Sequence, residues 1–367
     1  MPGKVLNYYA EGNTSRGFYC LYESNLQGLD KIFILKGGPG TGKSTLIRSL
    51  ADEWLNKDYD VEILNSAREN GSVDGVIIPK LKVAVVNGKE DAAIKAKLPG
   101  VIEQYIDMGE GLNSGKLEKH KEELIKLTED IEASYQLAYD KFAEALKIHD
   151  EWEEVYIKNM DFAKANAIAE ELIEKFFAGK SLKKEAVVKH RFLGAATPKG
   201  SVDFVPAITE EIGKRYFLKG RPGTGKSSML RKIVAQGEKR GFDVEVYHCG
   251  FDPVSLDMVL FRELDLVIFD STSPHEYFPG RESDEVVDMY EITVAPGTDE
   301  KYASQIDDIR KRYKKRIKEG IGALAAAKEL NDGLEQYYTN AMDFSEVDKI
   351  KARINGYIEA RLSSKGN

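Results

Sequence analysis

The sequence predicts an α/β protein built from two tandem copies of one unit, each a parallel sheet followed by a helical hairpin. Three observations carry this expectation. A glycine-rich segment, Lys36-Gly37-Gly38-Pro39-Gly40-Thr41-Gly42-Lys43-Ser44, recurs 183 positions later as Lys219-Gly220-Arg221-Pro222-Gly223-Thr224-Gly225-Lys226-Ser227. Short apolar runs alternate with helix-compatible stretches in both copies, the pattern of a sheet covered by helices. The last third of each copy is long and helical in character, and from Lys116 to Lys158 it holds neither Gly nor Pro.

The repeat reaches well beyond the glycine segment. The same offset aligns Asp60-Val61-Glu62 with Asp243-Val244-Glu245, Ser72 and Asp74 with Ser255 and Asp257, and Thr14 and Gly17 with Thr197 and Gly200. At an offset of 182, Met160-Asp161-Phe162 matches Met342-Asp343-Phe344, and Tyr156 matches Tyr338. An ordered series of this kind marks an internal duplication. The copies span 1–183 and 184–367, with sheet domains at 1–113 and 184–298 and hairpins at 114–183 and 299–367. Tandem copies can pair pseudo-symmetrically, as a dimer does, within one chain.

The elements follow in order. Ile32-Phe33-Ile34-Leu35 and Tyr216-Phe217-Leu218 are expected as buried strands that end at the glycine loops. Helices follow over Ser44–Asn56 and Ser227–Lys239. Strands are expected at Val61–Leu64, Val244–Tyr247, Lys82–Val86 and Leu266–Phe269, in a parallel sheet covered on both faces. Between Lys116 and Lys158, Leu117, Leu124, Ile131, Ala138, Phe142, Ala145 and Trp152 fall on one helical face. One straight helix here would be about 65 Å long. A break near Asn159–Asp161 leads into a second helix capped by Asp161, and Asp343-Phe344-Ser345-Glu346 has capping-box spacing, with Glu346 reaching back. The apolar stripe is expected to pack against the partner helix of the hairpin; the alternative is an arm that recruits a protein.

Composition bounds the function. The 367 residues are 42% hydrophobic and 31% charged with 11 prolines, which excludes a disordered chain, a collagen-like fibre and a disulfide scaffold. A net charge of −8 argues against non-specific nucleic-acid binding. Two cysteines, Cys20 and Cys249, suit a reducing compartment and are too few for a metal cage. No apolar run approaches the roughly 20 residues that span a bilayer, and no basic-plus-apolar leader opens the chain, so a cytoplasmic location is expected.

Gly-x-x-x-x-Gly-Lys-Ser between a strand and a helix is the P-loop signature. Glycines let backbone N–H groups converge on a phosphate, and the helix N-terminus adds partial positive charge. The candidate nucleotide-binding residues are Gly37, Gly38, Pro39, Gly40, Thr41, Gly42, Lys43, Ser44 and Thr45 in the first copy. In the second they are Gly220, Arg221, Pro222, Gly223, Thr224, Gly225, Lys226, Ser227 and Ser228. Lys43 and Lys226 would neutralise the β/γ oxygens, while Ser44 and Ser227 offer hydroxyls to Mg²⁺.

Magnesium usually needs an acidic residue at the end of a neighbouring strand. Leu266-Val267-Ile268-Phe269-Asp270 supplies one in the second copy, and Asn87 stands at the matching place in the first. Glu90 and Asp91 lie just downstream and are candidate substitutes. The sites are therefore expected to be unequal, with Lys226 and Asp270 catalytic in the second. In the loop after Asp270, His275 and Glu276 are candidates to orient a water or accept a substrate proton, the alternative being solvated loop side chains. His248, Cys249, Asp252 and His275 match no zinc spacing and are read as ordinary loop and strand-end residues. Arg221 is a candidate phosphate contact and Arg281 a candidate charge-stabilising finger, whereas Arg48 and Arg231 are expected to pack or form salt bridges.

The two glycine segments resemble those of P-loop NTPases. The fuller arrangement looks like a family of bacterial tandem P-loop ATPases of about this length. It rests on Phe192-Leu193-Gly194-Ala195-Ala196-Thr197-Pro198-Lys199-Gly200, the glycine loop, Tyr247-His248-Cys249, Asp270-Ser271-Thr272-Ser273-Pro274-His275 and the Met-Asp-Phe turns. The resemblance covers nearly the whole chain and implies two nucleotide sites in a cytoplasmic protein. The first copy departs from it at Asn65-Ser66 and Asn87. The function expected is a Mg²⁺-dependent ATPase that couples ATP turnover to a shape change in the hairpins, the second half being the more competent. The alternatives are a kinase for a small molecule or nucleotide, with His275 or Asp252 facing the acceptor, and a nucleotide-gated binding module with little turnover. No Asn-Lys-x-Asp segment is present to read guanine, which favours ATP.

Overall fold

The computed structural model describes residues 3–89 and 94–365. The first half runs β1 (Val5–Tyr8), β2 (Glu11–Thr14), β3 (Gly17–Cys20), α1 (Tyr22–Asn25), β4 (Lys31–Lys36), α2 (Lys43–Asn56), β5 (Val61–Asn65), β6 (Val73–Ile78), β7 (Val83–Asn87), β8 (Glu103–Asp107), α3 (Ser114–Glu118), α4 (Lys121–Ile157) and α5 (Phe162–Phe177). The second runs β9 (Val188–Phe192), β10 (Gly194–Thr197), β11 (Gly200–Asp203), α6 (Val205–Thr209), β12 (Lys214–Lys219), α7 (Lys226–Lys239), β13 (Val244–His248), β14 (Leu256–Phe261), β15 (Leu266–Asp270), β16 (Glu285–Asp288), α8 (Met289–Thr293), α9 (Thr298–Lys301), α10 (Ala303–Ala341) and α11 (Phe344–Lys365).

Each half holds one six-stranded sheet, ordered β1-β5-β6-β7-β4-β8 and β9-β13-β14-β15-β12-β16. The sheets are mixed, mostly parallel, and not wholly parallel as expected: β6 runs antiparallel to β5 and β7, and β14 to β13 and β15. The connections explain this. Only a 3₁₀ turn, Pro79–Leu81 or Arg262–Leu264, joins the antiparallel strand to the next, and a parallel neighbour would need a crossover of a dozen residues or more. The turns close through matched left-handed residues, Lys82 at φ 54° and Asp265 at φ 51°.

One face of each sheet is covered by helices. Leu46, Ile47, Leu50 and Trp54 of α2 bury against Phe33, Leu35, Val83 and Val85. Met229, Leu230 and Ile233 of α7 do the same against Tyr216, Leu218 and Ile268. The opposite faces of the two sheets share a core. Ile32, Ile34, Leu64 and Val86 belong to the same buried cluster as Phe217, Tyr247, Leu260 and Phe269, together with Tyr22 of α1 and Ile208 of α6.

The closing helices depart from the expected hairpins. α4 lies along α10 of the other half, with Ala138 and Phe142 buried on Ala323 and Leu324. α5 then packs on α7, contributing Leu172, Phe176 and Phe177 to the second half's core. α11 packs on α2, contributing Val347, Ile350, Ile354 and Ile358 to the first. Each half is thus completed by the last helix of the other. The crossings are matched: Asp343 N–H donates to the Gly111 carbonyl at 2.9 Å and Asp161 N–H to that of Thr293 at 2.7 Å, while Asn113 N–H donates to Ala341 and Ala295 N–H to Asn159. Such reciprocity is what a two-fold interface requires.

Two local details also differ. The stretch from Lys116 is not one helix, because the chain breaks at His120 (φ −114°, ψ 15°) between α3 and α4. Asp161 caps α5 through Ala163 N–H and Lys164 N–H at 3.0 and 3.1 Å. Asp343 accepts from Ser345 N–H at 3.0 Å, but the Glu346 carboxylate pairs with Lys349 at 2.7 Å and does not reach back. No helix among the described residues is long and apolar enough to cross a membrane.

Gly320 in α10 tests the α4–α10 seam. Glycine to alanine inside an exposed helix gains about 1 kcal/mol, but a Cβ at Gly320 would strike the Phe142 ring, and overpacking costs about 1–3 kcal/mol. Nothing lies within 4 Å of the Cβ positions at Gly322 and Gly333. Gly320→Ala should therefore lower the urea midpoint while Gly322→Ala and Gly333→Ala raise it. Three equal shifts would contradict the packing.

Candidate functional site

The glycine loops sit where β4 passes into α2 and β12 into α7. Gly42 and Gly225 occupy the N-cap positions at φ 84° in both loops, and neither helix start receives a side-chain cap. The helices' first N–H groups therefore face the loop without a local acceptor from a capping side chain. Thr41 Oγ1 donates to the Gly38 carbonyl and Thr224 Oγ1 to that of Arg221, each at 2.8 Å, which closes the turn. Lys43 Nζ donates to the Gly37 and Gly38 carbonyls at 2.8 and 2.5 Å. Lys226 Nζ donates to the Arg221 carbonyl at 2.9 Å and lies 3.6 Å from Asp270 Oδ2. Burial lowers the Lys43 ammonium to about 8, against the opposing charges of Glu335 and Asp74. Pro39 and Pro222 complete the turns, and Thr45 and Ser228 are exposed on the first helical turn.

Each loop also lies against the other half's helices. A Cβ at Gly40 would sit 2.6 Å from the Glu335 carbonyl oxygen of α10, and one at Gly223 2.6 Å from that of Glu153 in α4. The Tyr338 ring covers Gly38, and Thr339 Oγ1 donates to the Gly40 carbonyl at 3.4 Å. Glu335 and Glu153 are both raised by burial, with Lys43 and Lys226 respectively opposing the rise.

The serine hydroxyls tie each helix start to the antiparallel strand. Ser44 Oγ accepts from Val73 N–H at 3.0 Å and from Ser72 Oγ at 2.9 Å, and Ser227 Oγ accepts from Leu256 N–H at 3.0 Å. The residue after each of these strand positions is acidic: Asp74 and Asp257, both buried. Sequence reasoning used this matched pair only as evidence of repetition. The signal available was a carboxylate inside an apolar run, Leu256-Asp257-Met258-Val259-Leu260.

The two acidic centres differ. In the second half, Asp270 Oδ1 accepts from Thr272 N–H and Oγ1 at 3.0 and 2.6 Å, leaving Oδ2 toward Lys226. Burial and then the charge of Asp270 push Asp257 up to about 6. In the first half, Asn87 Nδ2 donates to Asp74 at 3.0 Å, and Lys89 Nζ bridges Asp74 at 2.6 Å and Glu11 at 2.5 Å. Glu90 and Asp91, the expected substitutes, lie outside the described residues.

Other expected residues have different employment. His275 is buried, and its Nδ1 meets Asp203 Oδ2 at 2.6 Å. It is thus not a solvated loop side chain. Glu276 is exposed. Arg221 pairs with Asp299 at 2.9 Å, over the Tyr290 ring, and so does not point into the loop as expected. Arg281 is no finger: it donates to the Ile212 carbonyl at 2.9 Å and to that of Glu210, past the end of α6. Arg48 and Arg231 make matched bonds to the Gly71 and Val254 carbonyls. His248 meets His190 at 2.8 Å and the Pro253 carbonyl at 2.6 Å, Asp252 pairs with Arg16 at 2.8 Å, and Cys20 and Cys249 are not joined in a disulfide. Comparison with family models, curated proteins and solved structures finds no match for this chain.

His275 carries a pH signature. Burial alone would lower it, but the Asp203 hydrogen bond, with the charges of Asp257, Asp203 and Asp270, holds it above the ordinary 6.5. Its stabilisation is therefore complete below about 6.5 and is lost as pH rises through the folded value. The melting-temperature gap between the parent chain and His275→Gln should narrow from about pH 6 to about pH 9. A constant or widening gap would contradict an imidazolium at this position.

Proposed function

We propose that the chain is a tandem P-loop nucleotide-binding protein and a Mg²⁺-dependent ATPase whose second site is the more competent for hydrolysis. The observation that carries this reading is the second loop. Lys226 lies between the Arg221 carbonyl and Asp270, at the mouth of an uncapped helix start and the end of the adjacent strand. That is the arrangement phosphoryl transfer asks for, since the chemistry needs positioning and charge neutralisation more than covalent participation. The resemblance of both loops to P-loop NTPases supports the same reading.

The second site's donors fit a divalent cation. The charge of Asp270 bears on buried Asp257, which a cation would relieve, and the Ser227 hydroxyl is held on the N–H of Leu256, the residue before Asp257. Ser227, Asp257 and Asp270 would hold Mg²⁺, which supplies charge neutralisation to the phosphate oxygens. The chain's own contribution is distinct. The loop N–H groups and the start of α7 bind the phosphates, Lys226 leaves a carbonyl to meet them, and Asp203 favours the protonated form of His275.

Coupling to shape is supported by the helices on the loops. Glu153 and Glu335 reach the loop of the opposite half, so an anion in either loop acts directly on the paired helices α4 and α10. The kinase reading is weaker, because Asp252 and His275, its acceptor-facing candidates, are paired with Arg16 and Asp203. A protein partner on the helices and a cytoplasmic setting belong to this proposal as well.

Phosphate release from ATP tests it. Lys226→Ala should cost about a hundredfold or more in turnover, and Asp270→Asn should reduce Mg²⁺-dependent release while leaving the circular dichroism spectrum unchanged. Lys43→Ala should be the milder change and weaken binding or regulation. Greater damage from Lys43→Ala would reverse the assignment of the sites, and full activity in Asp270→Asn would remove that residue from the cation site.

A further inference from the structure

We infer that the first site takes its nucleotide without a divalent cation, the Lys89 ammonium standing where the second site gathers carboxylates for a metal. The inference rests on the proposed nucleotide reading of the two loops and concerns what accompanies the phosphates.

The duplication pairs each residue of one site with one of the other. Apply the repeat offset and Asp74 corresponds to Asp257, Asn87 to Asp270, Glu11 to Gly194 and Lys89 to Thr272. The second half thus presents two carboxylates, Asp257 and Asp270, on neighbouring strands. The first half has lost one of them to an amide and gained a lysine and a glutamate together. Lys89 and Glu11 are paired: the ammonium lies 2.5 Å from the Glu11 carboxyl group and 2.6 Å from Asp74. Glu11 and Asp74 are almost fully buried, and the Tyr22 hydroxyl donates to the far oxygen of Glu11 at 3.4 Å.

A divalent cation is poorly served here. Both acidic groups are satisfied by an ammonium, the Asn87 amide donates into Asp74 and offers it no negative charge, and Lys43 is nearby. Breaking such a buried arrangement would leave charges unpaired in a low-dielectric interior, which is strongly unfavourable. Mg²⁺ also demands near-ideal oxygen geometry and sheds its waters reluctantly, so it competes badly with a cation covalently held in place. Lys43 remains at the loop to balance a polyphosphate, while Lys89 holds the two acidic groups behind it. An amine is a point charge that neutralises without polarising a coordinated water, so the same substitutions that remove the need for a metal also remove a means of hydrolysis.

Isothermal titration with ATP on single-site proteins decides the matter. In Lys226→Ala, which leaves the first site, the dissociation constant should be the same within about threefold in MgCl₂ and in excess EDTA. In Lys43→Ala, which leaves the second, EDTA should weaken binding by about tenfold or more. A first site that loses about tenfold in EDTA overturns the inference, as does a first site that binds no ATP while the second binds it. Failure of both sites to bind in either buffer overturns the nucleotide reading itself. Lys89→Met alone would strand buried carboxylates, so the reciprocal variant is Glu11→Gly, Asn87→Asp and Lys89→Thr together, which installs the second half's residues. With Lys226→Ala also present, this protein should acquire the EDTA sensitivity of the second site, and continued insensitivity would count against Lys89 as the counter-ion.

Discussion

The burial of each half's last helix in the other half is the constraint from which the rest of this molecule follows. Ile350, Ile354 and Ile358 of α11 are almost fully buried on the first sheet's helical layer, and Trp54 of α2 donates its indole N–H to Asn355 at 2.9 Å. Each such aliphatic side chain contributes about 1.5–3 kcal/mol by leaving water. A sheet domain stripped of the exchanged helix would expose this surface, so neither half is a self-sufficient core. Duplication usually yields two domains that can drift apart. Here the crossing of α4 and α10 makes the copies complete one another and fixes the distance between the two loops.

The same backbone, repeated, carries two different electrostatic solutions. The loops, the helix starts and the Arg48 and Arg231 bonds are superposable in kind. Apart from Arg221, which stands where the first loop has Gly38 and pairs with Asp299, the charge difference lies behind the loops, where burial makes every charge expensive. In the second half Asp257 sits near another carboxylate and is pushed toward neutrality, and the hydrogen bond to Asp203 raises His275 above its ordinary value although burial opposes it. In the first, Glu11 rises to about 8 through burial, while Asp74 and Glu11 together keep Lys89 charged although burial opposes it. Lys89 serves Asp74 and Glu11 at once, so removing it would leave two buried acidic groups without their counter-charge. The asymmetry therefore consists of coupled changes, whereas Asn87 viewed alone looks like simple decay.

What was legible in the sequence, and what was not, follows from the range of each interaction. β4, α2, β5 and β7 and their counterparts in the second half lie within a residue or so of expectation, because apolar runs and the glycine turn are local signals. β6 escaped because Asp74 and Gly75 interrupt its apolar run, and its direction follows from a turn too short for a crossover. The exchange of α5 and α11 was beyond reach for a different reason. An amphipathic stripe such as Ala138–Phe142–Ala145 states that a face is buried but not against which helix. Arg221 and Arg281 were misplaced likewise: position in a motif gave proximity, while their partners, Asp299 and the Glu210 and Ile212 carbonyls, come from distant sequence. Asp257 lacked any spacing signature and acquires meaning only beside Asp270 of the neighbouring strand, as Lys89 and Glu11 do only beside Asp74.

The glycines of the loops answer to two masters, which bears on how the helices would sense an occupant. Gly40 and Gly223 have left-handed φ values of 67° and 78°, a sufficient reason for glycine in a turn. They also lie under the Glu335 and Glu153 carbonyls, where any side chain would collide with helix backbone. The loop is therefore a bearing surface for the opposite half. The carboxylates of Glu335 and Glu153 act electrostatically on Lys43 and Lys226, so an anion that draws those lysines toward itself weakens the carboxylates' hold. Because burial already disfavours their ionised forms, the loss falls on groups with little solvation to replace it. On the proposed reading, filling a loop loosens the opposite half's helix at its seat, and emptying it restores the contact. Since α4 and α10 are packed along each other, loosening at one loop is transmitted along the seam that contains Phe142 and Gly320 toward the other.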